Sequence, residues 1–210
     1  MNKFSSDSRF EAPFEARHDQ PIPQRAGAAV CFQLEPWPDQ LPEFSSILPQ
    51  LVLDGHLDRY GLEMTIQYQM RGSIKRLVIG GPSANPERRD ELWRTTCLEF
   101  FLAAPGKEAY WEFNLSPEGH WNVYRFDGYR QGMALEAGYD TLPFQVRRDP
   151  HSLQLSLHCP LPPGIGPDQP IEVGICAVLE SKGNLPTFWA LTHPGTKPDF
   201  HRRDGFAIRL

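Results

Sequence analysis

An all-β fold, an antiparallel β-sandwich with one short helix, is what this sequence of 210 residues predicts, on three observations. Apolar and polar residues alternate over several runs, as they do along a strand with one buried face. Prolines and glycines separate these runs at short intervals, 21 and 17 of them respectively, which leaves little room for long helices. One segment, Tyr110–Phe126, carries a hairpin signature at its centre. In Ser116-Pro117-Glu118-Gly119, a proline suited to the second place of a turn precedes a glycine suited to a left-handed conformation.

Taken in order, residues 1–26 are polar, charged and interrupted by Pro13, Pro21 and Pro23, which predicts a mobile or loosely packed tail before a domain spanning 27–210. Ala28–Leu34 reads as a first strand, ended by Glu35-Pro36-Trp37-Pro38 because proline removes a ladder donor. Residues 39–58 are ambiguous. Gly61–Met70 sets Leu62, Met64, Ile66, Tyr68 and Met70 against Glu63, Thr65, Gln67 and Gln69, the pattern of a half-buried strand. Gly72-Ser73 turns into Ile74–Ile79. Asn85-Pro86-Glu87 resembles an N-cap followed by proline at the first helical position, so the short helix is placed through Glu91, delivering Trp93 to the central strands.

Thr96–Ala103 offers Leu98, Phe100 and Leu102 to one face and Cys97, Glu99 and Phe101 to the other. A three-residue loop at Pro117–Gly119 then pairs Asn114 with Asn122, Glu112 with Tyr124 and Tyr110 with Phe126. Trp111, Phe113 and Leu115 fall on the apolar face. A register shifted by one residue would mix the two sets, so the separation of faces supports this loop. Further strands are expected at Leu153–Leu157, Ile171–Leu179, Thr187–Leu191 and Phe206–Leu210. A closed barrel is the alternative architecture.

The formal charge of −5 with interspersed signs excludes a broad phosphate-binding stripe, so no nucleic-acid partner is expected. Cys31, Cys97, Cys159 and Cys176 form no CxxC pair and read as free thiols. No signal-like apolar segment opens the chain and no run reaches membrane-spanning length, which points to a cytoplasmic protein without a membrane partner.

The amphipathic face carries the candidate site. A sugar presents a flat patch of C–H bonds edged by hydroxyls that must not be left unpaired, and it calls for aromatic planes beside polar groups. Trp93, Tyr110, Tyr124 and Phe200 supply planes; Glu99, Glu112, Asn114, Asn122 and Arg130 supply hydrogen bonds. A covering protein segment would use the same groups internally. Two carboxylates also suffice for glycoside hydrolysis, yet no nucleophile, phosphate loop or metal motif accompanies Glu99 and Glu112, and no catalytic residue is assigned. His193, Asp199 and His201 match no closed zinc spacing and read as turn formers, so no metal site is assigned either.

The frame LWRTTCLEFF, with tryptophan at 93 and glutamate at 99, resembles the family nine carbohydrate-binding modules and the wider DOMON superfamily; YWEFNLSPEGHWNVYRFDGYRQGM is similar to the bacterial DOMON-like group. The resemblance spans roughly 28–210 and includes the closing Phe206–Leu210 after a strand containing Trp189. It implies a sandwich in which Trp93 stacks on a sugar ring and Glu99 accepts from its hydroxyls, with Phe200 where those modules carry a second aromatic wall. Because superfamily members bind sugars or haem, the expectation is a non-catalytic domain for a sugar or sugar-containing metabolite, with no cofactor. The alternatives are haem, held by Met70, Met133 or a histidine, and a protein-interaction module; no particular protein partner is indicated.

Overall fold

The computed structural model describes residues 29–40, 50–183 and 186–210. The tail expected over 1–26 lies outside the described residues. Twelve strands are present among them: β1 (Val30–Pro36), β2 (Val52–Tyr60), β3 (Glu63–Arg71), β4 (Cys97–Ala103), β5 (Tyr110–Leu115), β6 (Trp121–Phe126), β7 (Ala134–Leu135), β8 (Phe144–Asp149), β9 (Ser152–Pro160), β10 (Glu172–Glu180), β11 (Pro186–Ala190) and β12 (Ile208–Arg209). They form one curled sheet in the order β7-β6-β5-β4-β10-β11-β1-β2-β3-β9-β8, with β12 on β10 and every pairing antiparallel. β1 makes the corner: Val30–Leu34 pairs with β2, while only Glu35 and Pro36 reach β11. The two halves fold face to face, and β7 and β8 end the order without pairing to each other, so the architecture is an open sandwich rather than a barrel.

The hairpin has the register its loop dictates. Ser116 N–H donates to His120 O at 2.8 Å and Gly119 N–H to Ser116 O at 2.9 Å, and Asn114 lies opposite Asn122. Gly119 has φ +103°, a conformation an L side chain would strain. Leu98, Phe100, Leu102, Phe113, Leu115 and Val123 join Leu53, Leu57, Ile66, Tyr68 and Met70 from the other half in one core. Tyr68 crosses that core: its hydroxyl donates to the backbone carbonyl of Glu99 at 2.8 Å.

Three features differ from or add to expectation, each for a local cause. β2 occupies part of the ambiguous stretch, where Leu53 and Leu57 point inward but Gly55 stands between them. A Cβ at Gly55 would lie 1.9 Å from Gln67 O and 2.7 Å from the ring of Phe32, whose Cα faces it across the pair. The inward place is filled from β1, so the periodic signal breaks there. The run Ile74–Ile79 that follows the Gly72-Ser73 turn opens with a single 3-10 turn at Ile74–Arg76, and three-residue spacing buries both Ile74 and Leu77. The helix expected over 86–91 is replaced by irregular chain, left-handed at Glu91. Arg88 bridges to Trp121, and the only helical turn nearby is Leu92–Arg94. The Arg88 guanidinium donates to Asn122 Oδ1 at 2.9 Å and Val123 O at 3.3 Å, and also to the carbonyls of Glu136 and Tyr139. It lies 4.3 Å over the Trp121 ring. These tertiary bonds outweigh a local propensity worth a few tenths of a kcal/mol per residue.

Phe113 is fully buried, stacked on Phe100 at 4.3 Å and edge-on to Tyr139 at 5.4 Å. Phe113→Ala is expected to destabilise the domain by about 3–5 kcal/mol in urea unfolding. A loss below about 1 kcal/mol would show that this face is not the core.

Candidate functional site

β4 is buried along its whole length. Its inner side belongs to the main core; its outer side forms a second apolar cluster of Phe101, Ala103, Tyr110, Tyr124, Phe126 and Phe206, with Trp93 and Phe200 packed at its margin. The segment after β11 covers this outer face, bringing Phe206 to 5.6 Å from Phe101 and His201 to 5.1 Å from Phe126. The cover is incomplete. Between it and the sheet lies a cleft of about 330 Å³ lined by Trp93, Glu99, Glu112, Phe126, Arg130, Met133, Val178, Phe188, Phe200 and His201.

Glu99 lies at the floor, 2% exposed. Cys176 Sγ is 3.8 Å from its Oε2, while Oε1 has no hydrogen-bond partner among the described residues. Burial holds this carboxyl well above the usual carboxylate range, and the neighbouring Glu112 charge adds to the effect against weak donation from Cys176 and Cys97. Glu112, on β5, accepts from Asn114 Nδ2 at 2.9 Å. Burial pushes it up to about 7, opposed by the Asn114 amide and the Arg130 charge.

His201 faces Glu112, with Nε2 3.8 Å from Oε2, and is edge-on to Phe101, Tyr110 and Phe126. Those rings desolvate the imidazole and bring it down to about 4, with the Arg130 charge in support. At neutral pH the contact therefore joins a neutral imidazole to a carboxyl group and is not an ion pair. Tyr110 Oη accepts from Arg130 N–H at 3.1 Å and lies 2.8 Å from His201 Nδ1. With the Tyr110 proton on that bond, the imidazole proton sits on Nε2, directed at Glu112. Arg130 holds a left-handed backbone, φ +52°, and its guanidinium pairs with Asp199 at 3.0 Å. Asp199 also accepts from Tyr129 Oη and, at 3.3 Å, from His201 N–H, which ties the covering segment to the loop after β6.

Of the residues expected to bind ligand, Trp93, Glu99, Glu112, Arg130 and Phe200 line this one cleft. Tyr110 and Asn114 lie beneath it and act on His201 and Glu112. Asn122 is fully buried and spent on Arg88, Arg89, Asp90 and Tyr124, so it offers no free group to a ligand. Tyr124 donates to Asp90 at 2.8 Å, and its ring meets Trp93 edge-on at 5.7 Å. It faces a neighbouring groove. Five lining residues, Phe126, Met133, Val178, Phe188 and His201, were not among those expected to bind a sugar. Of these His201, read as a turn former, is the polar one, and its aromatic neighbours come from strands remote in sequence. Among the described residues no cluster suits a metal ion, and no helix is long and apolar enough to cross a membrane. All four cysteines are free thiols. Larger hollows of about 460 and 570 Å³ lie beside Ile74 and over the outer face of β2, but neither is lined by a buried polar atom lacking a partner.

No protein-family model and no curated protein matches the chain. Solved structures do. A protein from Bacteroides uniformis, provisionally described as carbohydrate-binding, superposes with a TM-score of 0.56 at 15% identity, over 83% of this chain and 84% of that one. A family nine carbohydrate-binding module from Caldicellulosiruptor kristjanssonii in complex with glucose gives a TM-score of 0.44 at 12% identity, over 70% of each chain. Its complex with cellotriose gives 0.44 at 11%, over 72% and 70%. The first of these likenesses supports the fold.

The two buried carboxyls set a pH dependence. A carboxyl raised on folding contributes fully below its unfolded value of 4.5, and its contribution is lost as pH rises through the folded value. For Glu112 that window is about 4.5 to 7, and the loss reaches about 3 kcal/mol, several degrees of melting temperature. His201 runs the other way, losing its contribution as pH falls from 6.5 to about 4. Glu112→Gln is therefore expected to raise the melting temperature relative to the parent by more at pH 8 than at pH 5. A gap unchanged between the two would mean that Glu112 titrates normally.

Proposed function

We propose that the chain is a non-catalytic binding domain that takes a sugar or sugar-containing metabolite in the cleft over Glu99. The observation that carries this reading is Glu99 Oε1, a buried acceptor without a partner, lining a cleft that also has Trp93, Phe126 and Phe200 in its walls. An unpaired buried polar atom costs about 1–3 kcal/mol, which a ligand hydroxyl can offset. The rings give the apolar surface that a pyranose face requires. A volume of about 330 Å³ is at the small end for ligand pockets, suited to one or two rings rather than a long chain.

Hydrolysis fits less well. Glycosidase carboxyls flank the scissile bond, whereas Glu99 and Glu112 sit on neighbouring strands at one face of the cleft. For haem, Met133 and His201 line the cleft but Met70 is buried in the core, and His193 is held at 2.8 Å by the Glu35 carbonyl. Haemin titration is expected to give no stoichiometric Soret shift. Tyr129, Met133 and Leu135 are half-exposed beside the cleft and favour a docking partner as the second reading.

Calorimetry against monosaccharides, disaccharides and nucleotide sugars tests the proposal. Glu99→Leu removes the lone acceptor, so sugar affinity is expected to drop by about ten-fold or more. The same variant melts no lower than the parent at pH 7, because a buried polar atom without a partner has been removed. Trp93→Ala weakens binding as well. Absence of binding by every sugar at millimolar concentration, with Glu99→Leu melting well below the parent, would leave the docking reading in its place.

A further inference from the structure

Building on the sugar reading, we infer that the preferred ligand is an amino sugar with its amine free, whose ammonium group sits between Glu99 and Glu112. The argument begins with the charges around the cleft. Trp93 and Met133 also line an adjoining groove of about 470 Å³ whose acidic members are Asp90 and Glu91. The two hollows thus share a wall and carry four carboxyl groups; Glu91 is paired with Arg94 at 2.8 Å, and the lining cation, Arg130, is already paired with Asp199 at 3.0 Å, which leaves Asp90, Glu99 and Glu112 without a cation of their own among the described residues.

At the floor the imbalance is sharper. The groups that face the two carboxyls are the thiols of Cys97 and Cys176, the Asn114 amide, the hydroxyls of Tyr68, Tyr110 and Tyr124, the His201 imidazole and, toward Glu112, Arg130. None places a cation against Glu99, whose electrostatic neighbours are Glu112 and the two thiols. Among the described residues Glu99 Oε1 has no partner, and Glu112 Oε2 has the long His201 contact alone. A primary ammonium brings three donors and one positive charge to this pair of acceptors. The rings of Trp93, Phe126, Phe188 and Phe200 attract a cation by their negative faces. A neutral sugar satisfies the hydrogen bonds but brings no charge to favour ionisation of the two carboxyls. An ammonium lets them ionise, the carboxyl proton passing to the buffer, and converts neutral hydrogen bonds into charge-assisted ones about twice as strong.

The test is calorimetry on the full chain with glucosamine, galactosamine and mannosamine, each beside its hydroxyl parent and its N-acetyl derivative, and with cyclohexylamine. At pH 7 at least one amino sugar is expected to bind about ten-fold tighter than both of its neutral counterparts, with an observed enthalpy that varies with the ionisation enthalpy of the buffer. The advantage shrinks at pH 5, where the carboxyls hold their protons more firmly. Glu99→Gln cancels the difference between the amine and its neutral counterparts, because the charge that distinguishes them is gone. Equal binding of amine and neutral forms would overturn this inference and leave the sugar reading standing. Cyclohexylamine binding as tightly as the amino sugar would show that the hydroxyls contribute nothing, which overturns the amino-sugar assignment. No binding by any member of the panel at millimolar concentration would remove both readings.

Discussion

A carboxyl group buried on the outer face of a strand that is covered on both sides is the constraint around which this structure is arranged. β4 contributes Leu98, Phe100 and Leu102 to the main core, and the same strand presents Glu99 and Phe101 on its other side. Apolar burial there requires a second layer, supplied by the segment carrying Phe200, His201 and Phe206. Complete cover would have sealed Glu99 in with an unsatisfied oxygen. The layer stops short, and the gap it leaves is the cleft. Tyr68 reaches through the sandwich to the Glu99 backbone, so the far half of the sheet braces the strand at the residue that forms the cleft floor.

The electrostatics follow from the same arrangement. Glu99 and Glu112 lie two residues out of step on adjacent strands, on one face, with rings on most sides and a single cation at the rim. Desolvation is the leading cause of the shift in Glu99, Glu112 and His201, and all three are driven toward neutrality. Such a site is inexpensive to keep in the fold at low charge and responds strongly to a ligand that carries charge or donors. The left-handed Arg130 and the Asp199 bridge fix the cationic lining residue at the edge.

Much of this was legible in the sequence where local chemistry dictates geometry. The proline and glycine of the 117–119 loop set the hairpin register, and strict alternation then assigned Phe113 inward and Glu112 outward. What escaped was what depends on partners distant along the chain. β2 lost its periodicity at Gly55 because Phe32 of β1 fills that place. The capping signal at Asn85-Pro86 was overridden by the four carbonyl and amide acceptors gathered by Arg88. Asn122 and Asn114 look alike in the sequence, yet one is consumed by the Arg88 segment and the other supports Glu112. His201 showed no pattern of its own. Its role comes from three rings on β4, β5 and β6.

The central claim is that Glu99 is a buried carboxyl, held toward its neutral form by desolvation, that faces a cleft with one oxygen free. Carbon-13 NMR titration of the glutamate side-chain carboxyl carbons, assigned through Glu99→Gln and Glu112→Gln, measures this directly. The account predicts one carboxyl with a midpoint of about 7, Glu112, and a second, Glu99, whose midpoint is also displaced well above the ordinary carboxylate range. It also predicts that the Glu99 signal moves when a sugar is bound. Titration of both carboxyls near the ordinary value of 4.5 would contradict it.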